Sequence, residues 1–379
     1  MQQPVAGNPA TGPNWSMEGF SDQTVRQQVR ISGGGSRIRI RLSNLCGTGP
    51  LRVAGATIAE SAGGAGTEPG TMRTLTFRGS RSVTIPAGQV TASDATGLHV
   101  APLESLAVTL YFTGPTGPST FHEDGLTTTY ETAGDHVRDI GAAAFDGATS
   151  HSFYYLTGVD VATRPRETVV AFGDSITNGH NSTVGANARY TDALAERLIA
   201  AHSRLSVANA GISGNLLLNQ LPCFGETGIT RFERDALDQP GVRTVILLEG
   251  ANDIWDSQGN FGACGTTPAI TAAQIIAGYQ VLIHAAHARG IEVIGATILP
   301  FKADFEPAAD FQRAEAIRQA VNHWILTSGE YDGVADFAAA VADPADPQRL
   351  NPSYDSGDHF HPNDAGYRAI AATITIAGL

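Results

Sequence analysis

A serine hydroxyl, an imidazole and a carboxylate can together hydrolyse an ester, and this sequence holds all three in suitable settings. Val169-Val170-Ala171-Phe172 runs into Gly173-Asp174-Ser175-Ile176-Thr177-Asn178-Gly179, so a β-branched, apolar strand ends on a serine. In an open α/β sheet, ligands bind beyond the carboxyl ends of the strands, where Ser175 can be presented to a substrate. The plain alternative is a serine that caps a helix. Near the C-terminus, Gly357-Asp358-His359-Phe360-His361-Pro362 sets Asp358 three residues before His361, close enough for the carboxylate to orient that imidazole. A serine hydroxyl is a poor nucleophile at neutral pH and needs a base. His361 can take its proton and return it to the leaving alcohol, while Asp358 fixes the tautomer and stabilises the imidazolium. A metal site built from His359 and His361 has no third or fourth ligand at suitable spacing.

Two further segments follow predicted strands. Asn209-Ala210-Gly211-Ile212-Ser213-Gly214-Asn215 is rich in small residues, which let backbone N–H groups approach a ligand; an ordinary tight turn is the other reading. Glu249-Gly250-Ala251-Asn252-Asp253 lets Asn252 project an amide into the same crevice, or form an Asx-turn. Each of the four segments is short, but together and in this order they resemble the SGNH hydrolases, the GDSL esterase and lipase superfamily, over roughly residues 167–379. The resemblance implies a three-layer α/β/α domain that hydrolyses carboxylic esters through an acyl-enzyme. It matches Ser175 to the nucleophile, Gly214 to the second-block glycine, Asn252 to the asparagine of Gly-x-Asn-Asp, and Asp358 with His361 to the Asp-x-x-His pair. The first block departs slightly, with Ile176 where many members have Leu. A tetrahedral oxyanion needs preorganised donors, and the candidates are the Ser175 and Gly214 backbone N–H groups and the Asn252 amide.

These residues need a scaffold, and the chain changes grammar near Thr163. Before it lie short alternating runs between glycine-rich turns: Val25 to Ile31, Arg37-Ile38-Arg39-Ile40-Arg41-Leu42, Leu51 to Ile58, Met72 to Arg78, Ser82 to Ile85, Ser105 to Phe112 and Ser152 to Val159. Period-2 alternation with frequent turns predicts a β-sandwich or jelly roll. This half also resembles the β domain that precedes some bacterial SGNH hydrolases, notably at Thr24-Val25-Arg26-Gln27-Gln28-Val29-Arg30. After it, strands predicted at Thr168 to Phe172, Leu205 to Asn209, Thr244 to Glu249, Ile291 to Ile298 and Gly333 to Phe337 alternate with helices. The helices are predicted at Ala188 to His202, Ala272 to Arg289, Ala309 to Leu326 and Pro362 to Ile376. Such alternation implies a parallel sheet covered on both faces. The expected organisation is an accessory β domain over 1–163 and a hydrolase domain over 164–379.

Composition narrows the function classes. Lys plus Arg is 24 against 37 for Asp plus Glu, a formal charge of −13. This balance argues against nucleic acid and anionic membrane surfaces as partners, because both need clustered positive charge. The single lysine, Lys302, sits in no Gly-rich context, which argues against a phosphate-binding loop. No apolar stretch reaches the ~18–20 residues of a membrane span. Met1 to Trp15 is polar and lacks the regions of a signal peptide, so any such signal is expected to have been removed before this numbering begins. No metal or organic cofactor is implied. Cys223 and Cys264 follow the second and third blocks, where a disulfide would brace the rim of the site; two buried thiols are the alternative. Cys46 reads as a buried thiol. Trp255 either lines an acyl or sugar subsite or packs in the core. Asp174 reads as a brace for its loop, and His180, His284, His287 and His323 as structural. The expected substrate is a small-molecule or polysaccharide ester with a short acyl group, the expected location secreted or periplasmic. A glycan-binding module with a vestigial hydrolase half is the competing class. Oligomeric state is not written in the sequence.

Overall fold

The computed structural model describes residues 1–7, 12–162, 167–257, 264–302 and 308–379. The chain divides into two compact units, Met1–Pro165 and Arg166–Leu379.

The first unit is built on antiparallel pairing. One sheet runs, in spatial order, Thr149–Ser150, Thr129–Ala133, Gln23–Arg30, Ser105–Phe112, Gly55–Gly63 and Gly66–Thr67, with Arg73–Thr74 also on Gly55–Gly63. A second sheet centres on Gly35–Ser43, with Leu156–Val161 on one side and Val90–Ala92 and Thr96–Val100 on the other. Ile38, Ile40 and Leu42 of the second sheet share one core with Val25, Ile58, Val108 and Leu110 of the first. Two sheets closing on a common apolar layer make a sandwich. The arginines that alternate with this apolar set face the other way, and Arg39 and Arg41 reach Asp160 at 2.9 and 3.1 Å. The run from Ser152 to Val159 is not one strand. Tyr155 adopts φ 59° and separates Phe153–Tyr154 from Leu156–Val161. Within Met72 to Arg78 the strand is reduced to Arg73–Thr74, with Phe77 in an isolated bridge to Ser80. Cys46 is half-buried rather than buried, and forms no disulfide.

The second unit holds a five-stranded parallel sheet: β1 (Thr168–Gly173), β2 (Ser206–Gly211), β3 (Val242–Leu248), β4 (Glu292–Ala296) and β5 (Gly333–Ala335), in spatial order β2-β1-β3-β4-β5. The central strands β1 and β3 are apolar on both faces, and each face has its own core. Val170, Phe172, Val245 and Leu247 pack with Ile275, Tyr279 and Leu282 and with Phe311 and Val321. Val169, Ala171, Ile246 and Leu248 pack with Leu194, Leu198, Tyr367 and Ile370. Helices α1 (Ser175–Asn178), α2 (Tyr190–Ala200), α3 (Gly228–Phe232), α4 (Ala251–Asp256), α5 (Ala272–His287), α6 (Ala308–Thr327), α7 (Phe337–Val341) and α8 (Asp364–Thr373) complete the layers. The order reverses between β1 and β3, and the crevice beyond their carboxyl ends is where such sheets bind ligands.

Local chemistry sets the ends. Thr271 and Gln274 form a reciprocal capping box that starts α5. The final helix begins later than Pro362, because Asn363 caps it by accepting the Ala365 and Gly366 N–H groups, both at 3.0 Å. A short helix over Gly228–Phe232, continued by a π-helical turn over Glu233–Leu237, has no counterpart in the sequence expectation.

Candidate active site

Ser175 begins α1 directly beyond β1. Asp174 caps that helical turn, its carboxylate accepting the Ile176 N–H at 2.9 Å, so it braces the loop as its position suggested. The turn sits tightly on the sheet: a Cβ at Gly173 would lie 2.2 Å from the Leu248 carbonyl oxygen. Gly179 closes it in the left-handed region at φ 98°, a conformation that suits glycine.

His361 lies within reach of this serine. Its Nε2 is 2.8 Å from Ser175 Oγ, and its Nδ1 is 2.6 Å from Asp358 Oδ2. The loop holding this pair is rigidly cross-bonded. Asp358 Oδ1 accepts the backbone N–H groups of Phe360 and His361 at 2.9 and 2.8 Å. Burial opposes ionisation of Asp358, but the His361 hydrogen bond and charge and these backbone donors hold its carboxyl well below the usual range. Asp358 is therefore held in its charged form at neutral pH.

Several neighbours of this relay escaped sequence reasoning. Asn181 donates to Asp358 Oδ2 at 2.8 Å. The His180 ring packs edge-on against His361 with centroids 4.6 Å apart, and its carbonyl accepts Tyr367 Oη at 2.6 Å. Asp355 accepts the Gly357 and His359 N–H groups at 2.8 and 3.0 Å and meets His359 Nδ1 at 2.5 Å. His359 thus turns to Asp355 while His361 turns to Ser175 and Asp358. Among the described residues, no three His, Cys, Asp or Glu side chains group as metal ligands. The signal for Asp355 was available as a second Asp/His pair at i,i+4; Asn181 carried none.

The two other blocks meet in the same unit. Gly214 has φ 75°, and a Cβ there would come within 2.2 Å of the Phe224 ring, so both backbone and space demand glycine. Asn252, buried near the start of α4, donates Nδ2 to the Asn215 carbonyl at 2.8 Å. Asp253 accepts the Leu217 and Leu218 N–H groups at 2.6 and 3.0 Å and so ties the second block to the third. Burial raises Asp253 to about 6 against these donors, and raises Asp174 to about 7 against the Ile176 N–H.

Cys223 and Cys264 form a disulfide with Cα atoms 5.9 Å apart. It anchors the segment whose Phe224 carbonyl accepts Asn215 Nδ2 at 2.7 Å. Trp255 is half-buried and stands in an aromatic group, with centroids 4.9 Å from Phe360 and 6.2 Å from Phe301. Phe360 in turn lies 4.9 Å from the His361 ring. A small apolar cavity of about 10 Å³ is lined by Ile176, Leu248, Ala251, Ile298, Phe301 and Phe360 among others.

Asn252→Ala is expected to lower kcat by ~10²–10³-fold if its amide steadies an oxyanion. Circular dichroism should stay native, while the unfolding midpoint falls with the loss of the buried bond to the Asn215 carbonyl. An unchanged kcat in a folded variant would remove Asn252 from that role.

No curated protein matches the sequence. Solved structures that resemble it include a GDSL-like lipase from Bacteroides thetaiotaomicron, 21% identical, covering 56% of this chain and 87% of that one with a TM-score of 0.41. Another is a variant of an acetyl xylan esterase from Geobacillus stearothermophilus, 20% identical, covering 55% and 92% with a TM-score of 0.41. Both are distant, and family membership rests on the sequence. Residues 171–369 match the model of the GDSL-like Lipase/Acylhydrolase family, a span that includes the Gly-Asp-Ser turn, the asparagine block and the Asp358–His361 loop. Since that span is over half of its residues, this chain belongs to the GDSL-like lipase/acylhydrolase family.

Proposed function

We propose that this protein is a serine esterase that hydrolyses short-chain carboxylic esters through an acyl-enzyme. The observation that carries this reading is the unbroken relay from Ser175 Oγ to His361 Nε2 at 2.8 Å and from His361 Nδ1 to Asp358 at 2.6 Å. In the first step Ser175 Oγ bonds to the acyl carbon and its proton passes to His361 Nε2. The charged Asp358 stabilises the imidazolium. The Ser175 and Gly214 N–H groups and the Asn252 amide stabilise the oxyanion. An amide nitrogen carries two hydrogens, so the bond to Asn215 leaves Asn252 a second one to offer. The carbon–oxygen bond to the alcohol then breaks, and His361 returns the proton to the leaving oxygen. Water, deprotonated by His361, attacks the acyl-enzyme; the acid departs and Ser175 regains its proton.

The aromatic group of Trp255, Phe301 and Phe360, set against the His361 ring, supports a short acyl chain, with Trp255 as a wall of the pocket. The alcohol side is open to two versions: an acetylated polysaccharide gripped by the β unit, or any short-chain ester with the β unit as a brace. Among the described residues, no helix is long and apolar enough to cross a membrane. The Cys223–Cys264 disulfide is consistent with an extracellular or periplasmic location.

p-Nitrophenyl esters of rising chain length, assayed beside acetylated xylan and pectin with Ser175→Ala as blank, test this. The reading expects octanoate to be turned over at least about tenfold less efficiently than acetate, since each misfit methylene costs ~1–3 kcal/mol. Acetate release from polymer selects the glycan version, and activity on aryl esters alone selects the general one. A flat chain-length profile counts against the short acyl pocket, and no turnover of any ester returns the chain to a binding role.

A further inference from the structure

The loops that carry Ser175, Gly214 and Asn252 leave the ends of three different strands, yet all three are held by one side chain. Arg231, in α3, is completely buried. Its Nη2 donates to the Gly173 carbonyl at 2.8 Å, at the last residue of β1 and two before Ser175. Its Nη1 donates to the Ala210 carbonyl of β2 at 2.7 Å, and its Nε to Asn215 Oδ1 at 2.7 Å, next to Gly214. Nη2 also donates to Glu249 Oε1 at 2.9 Å, three residues before Asn252. The bonds continue to that amide, because the Asn215 carbonyl accepts Asn252 Nδ2 at 2.8 Å. Beneath the guanidinium lies the Phe172 ring, 4.0 Å away.

Only a planar fork of five N–H donors can serve four acceptors spread over three strand ends; an ammonium group has three donors on one atom. Burying an ion pair gains little stability over a well-packed apolar core, so its worth lies in fixing one arrangement. The partners here are the three segments whose relative placement an oxyanion site needs. α3 runs straight into a π-helical turn, an irregularity common at functional sites.

We propose that Arg231 is a positioning residue that sets the nucleophile and the two remote oxyanion donors at their mutual distances. This rests on the serine esterase reading above. The matched control is Arg26 of the β unit. It is equally buried and bonds Thr109 Oγ1 and the Ala65 and Asp139 carbonyls at 2.9, 2.6 and 2.6 Å, with no link to the reacting groups.

The test compares full-length wild type, Arg231→Lys and Arg26→Lys for unfolding midpoint, kcat and KM on p-nitrophenyl acetate, and inhibition by a short trifluoromethyl ketone. That ketone adds to the serine as a tetrahedral adduct. Arg231→Lys is expected to lose about 10²-fold in kcat with KM within about threefold, since misplacement of ~1 Å costs that much, and to bind the ketone more weakly by the same factor as kcat/KM. Arg26→Lys should lose stability but keep kcat. If Arg231→Lys behaves like Arg26→Lys, losing stability while kcat and ketone affinity hold, the proposal is overturned. Should Arg231→Lys fail to fold, Glu249→Ala takes its place; it removes one of the acceptors that Arg231 holds, and unchanged kcat and ketone affinity there overturn the proposal equally. Absence of wild-type turnover on every ester would instead overturn the esterase reading, and this inference with it.

Discussion

Ser175→Ala is expected to abolish ester hydrolysis, with kcat/KM down by a factor on the order of 10⁴–10⁶. The size follows from what the hydroxyl alone supplies. Ser175 Oγ is the atom that His361 Nε2 faces at 2.8 Å, and alanine leaves the base without a proton to take. The rest of the turn is untouched: the Ser175 carbonyl still accepts the Gly179 and His180 N–H groups at 2.8 and 3.0 Å, and Asp174 still caps Ile176. The variant should therefore fold, keep the Ser175-position N–H donor, and bind substrate while failing to turn it over. Steady-state assays with p-nitrophenyl acetate against a matched blank measure this. Wild-type turnover in the variant would end the assignment of Ser175 as nucleophile.

The second large effect is expected at Asp358→Asn, with kcat falling by ~10³–10⁴-fold. An amide at this position keeps Oδ1 for the Phe360 and His361 N–H groups, so the loop retains its shape. The other arm changes sign. Where Asp358 Oδ2 now accepts His361 Nδ1 and Asn181 Nδ2, an NH₂ group would donate. His361 would answer with the tautomer that accepts at Nδ1 and carries its hydrogen on Nε2, which cannot take the serine proton. The same group bears on stability. Its folded pKa lies below the unfolded value, so its contribution is present above about pH 4 and is lost as pH falls through the folded pKa. Urea unfolding should place wild type above Asp358→Asn at pH 7, with the gap narrowing in strong acid. A variant within about tenfold of wild-type kcat would show that Asp358 does not set the tautomer.

The parts of this molecule legible in the sequence are those with local signals. Thr168 to Phe172 reads as a buried strand because its residues are apolar without alternation, and both faces of the sheet are covered. The alternation from Arg37 to Leu42 reads as a half-buried strand for the opposite reason. Asp358 and His361 share one loop, so their spacing is visible directly. What the sequence hid depends on distance along the chain. Asn181 meets Asp358 across 177 positions and Arg231 meets Gly173 across 58, and neither pairing leaves a periodic mark. Gly228–Leu237 escaped because α3 and the π-helical turn that continues it are each only 5 residues long, too short to show a 3.6-residue period. Pro is common at a first helical position, yet α8 starts beyond Pro362: Asn363 satisfies the free N–H groups and Pro362 stays outside, paired with Asp355 in an isolated bridge.

Labelling with an aryl phosphonate ester tests the central claim most directly, because phosphorus reacts with an activated serine and the adduct survives proteolysis. Incubation of the wild-type chain with this reagent, followed by peptide mass spectrometry, should place one phosphonyl group on Ser175 as the aryloxide leaves phosphorus, in step with loss of activity, and Ser175→Ala should remain unlabelled. Full inactivation with the label on any other residue, or equal labelling of Ser175→Ala, would contradict the account.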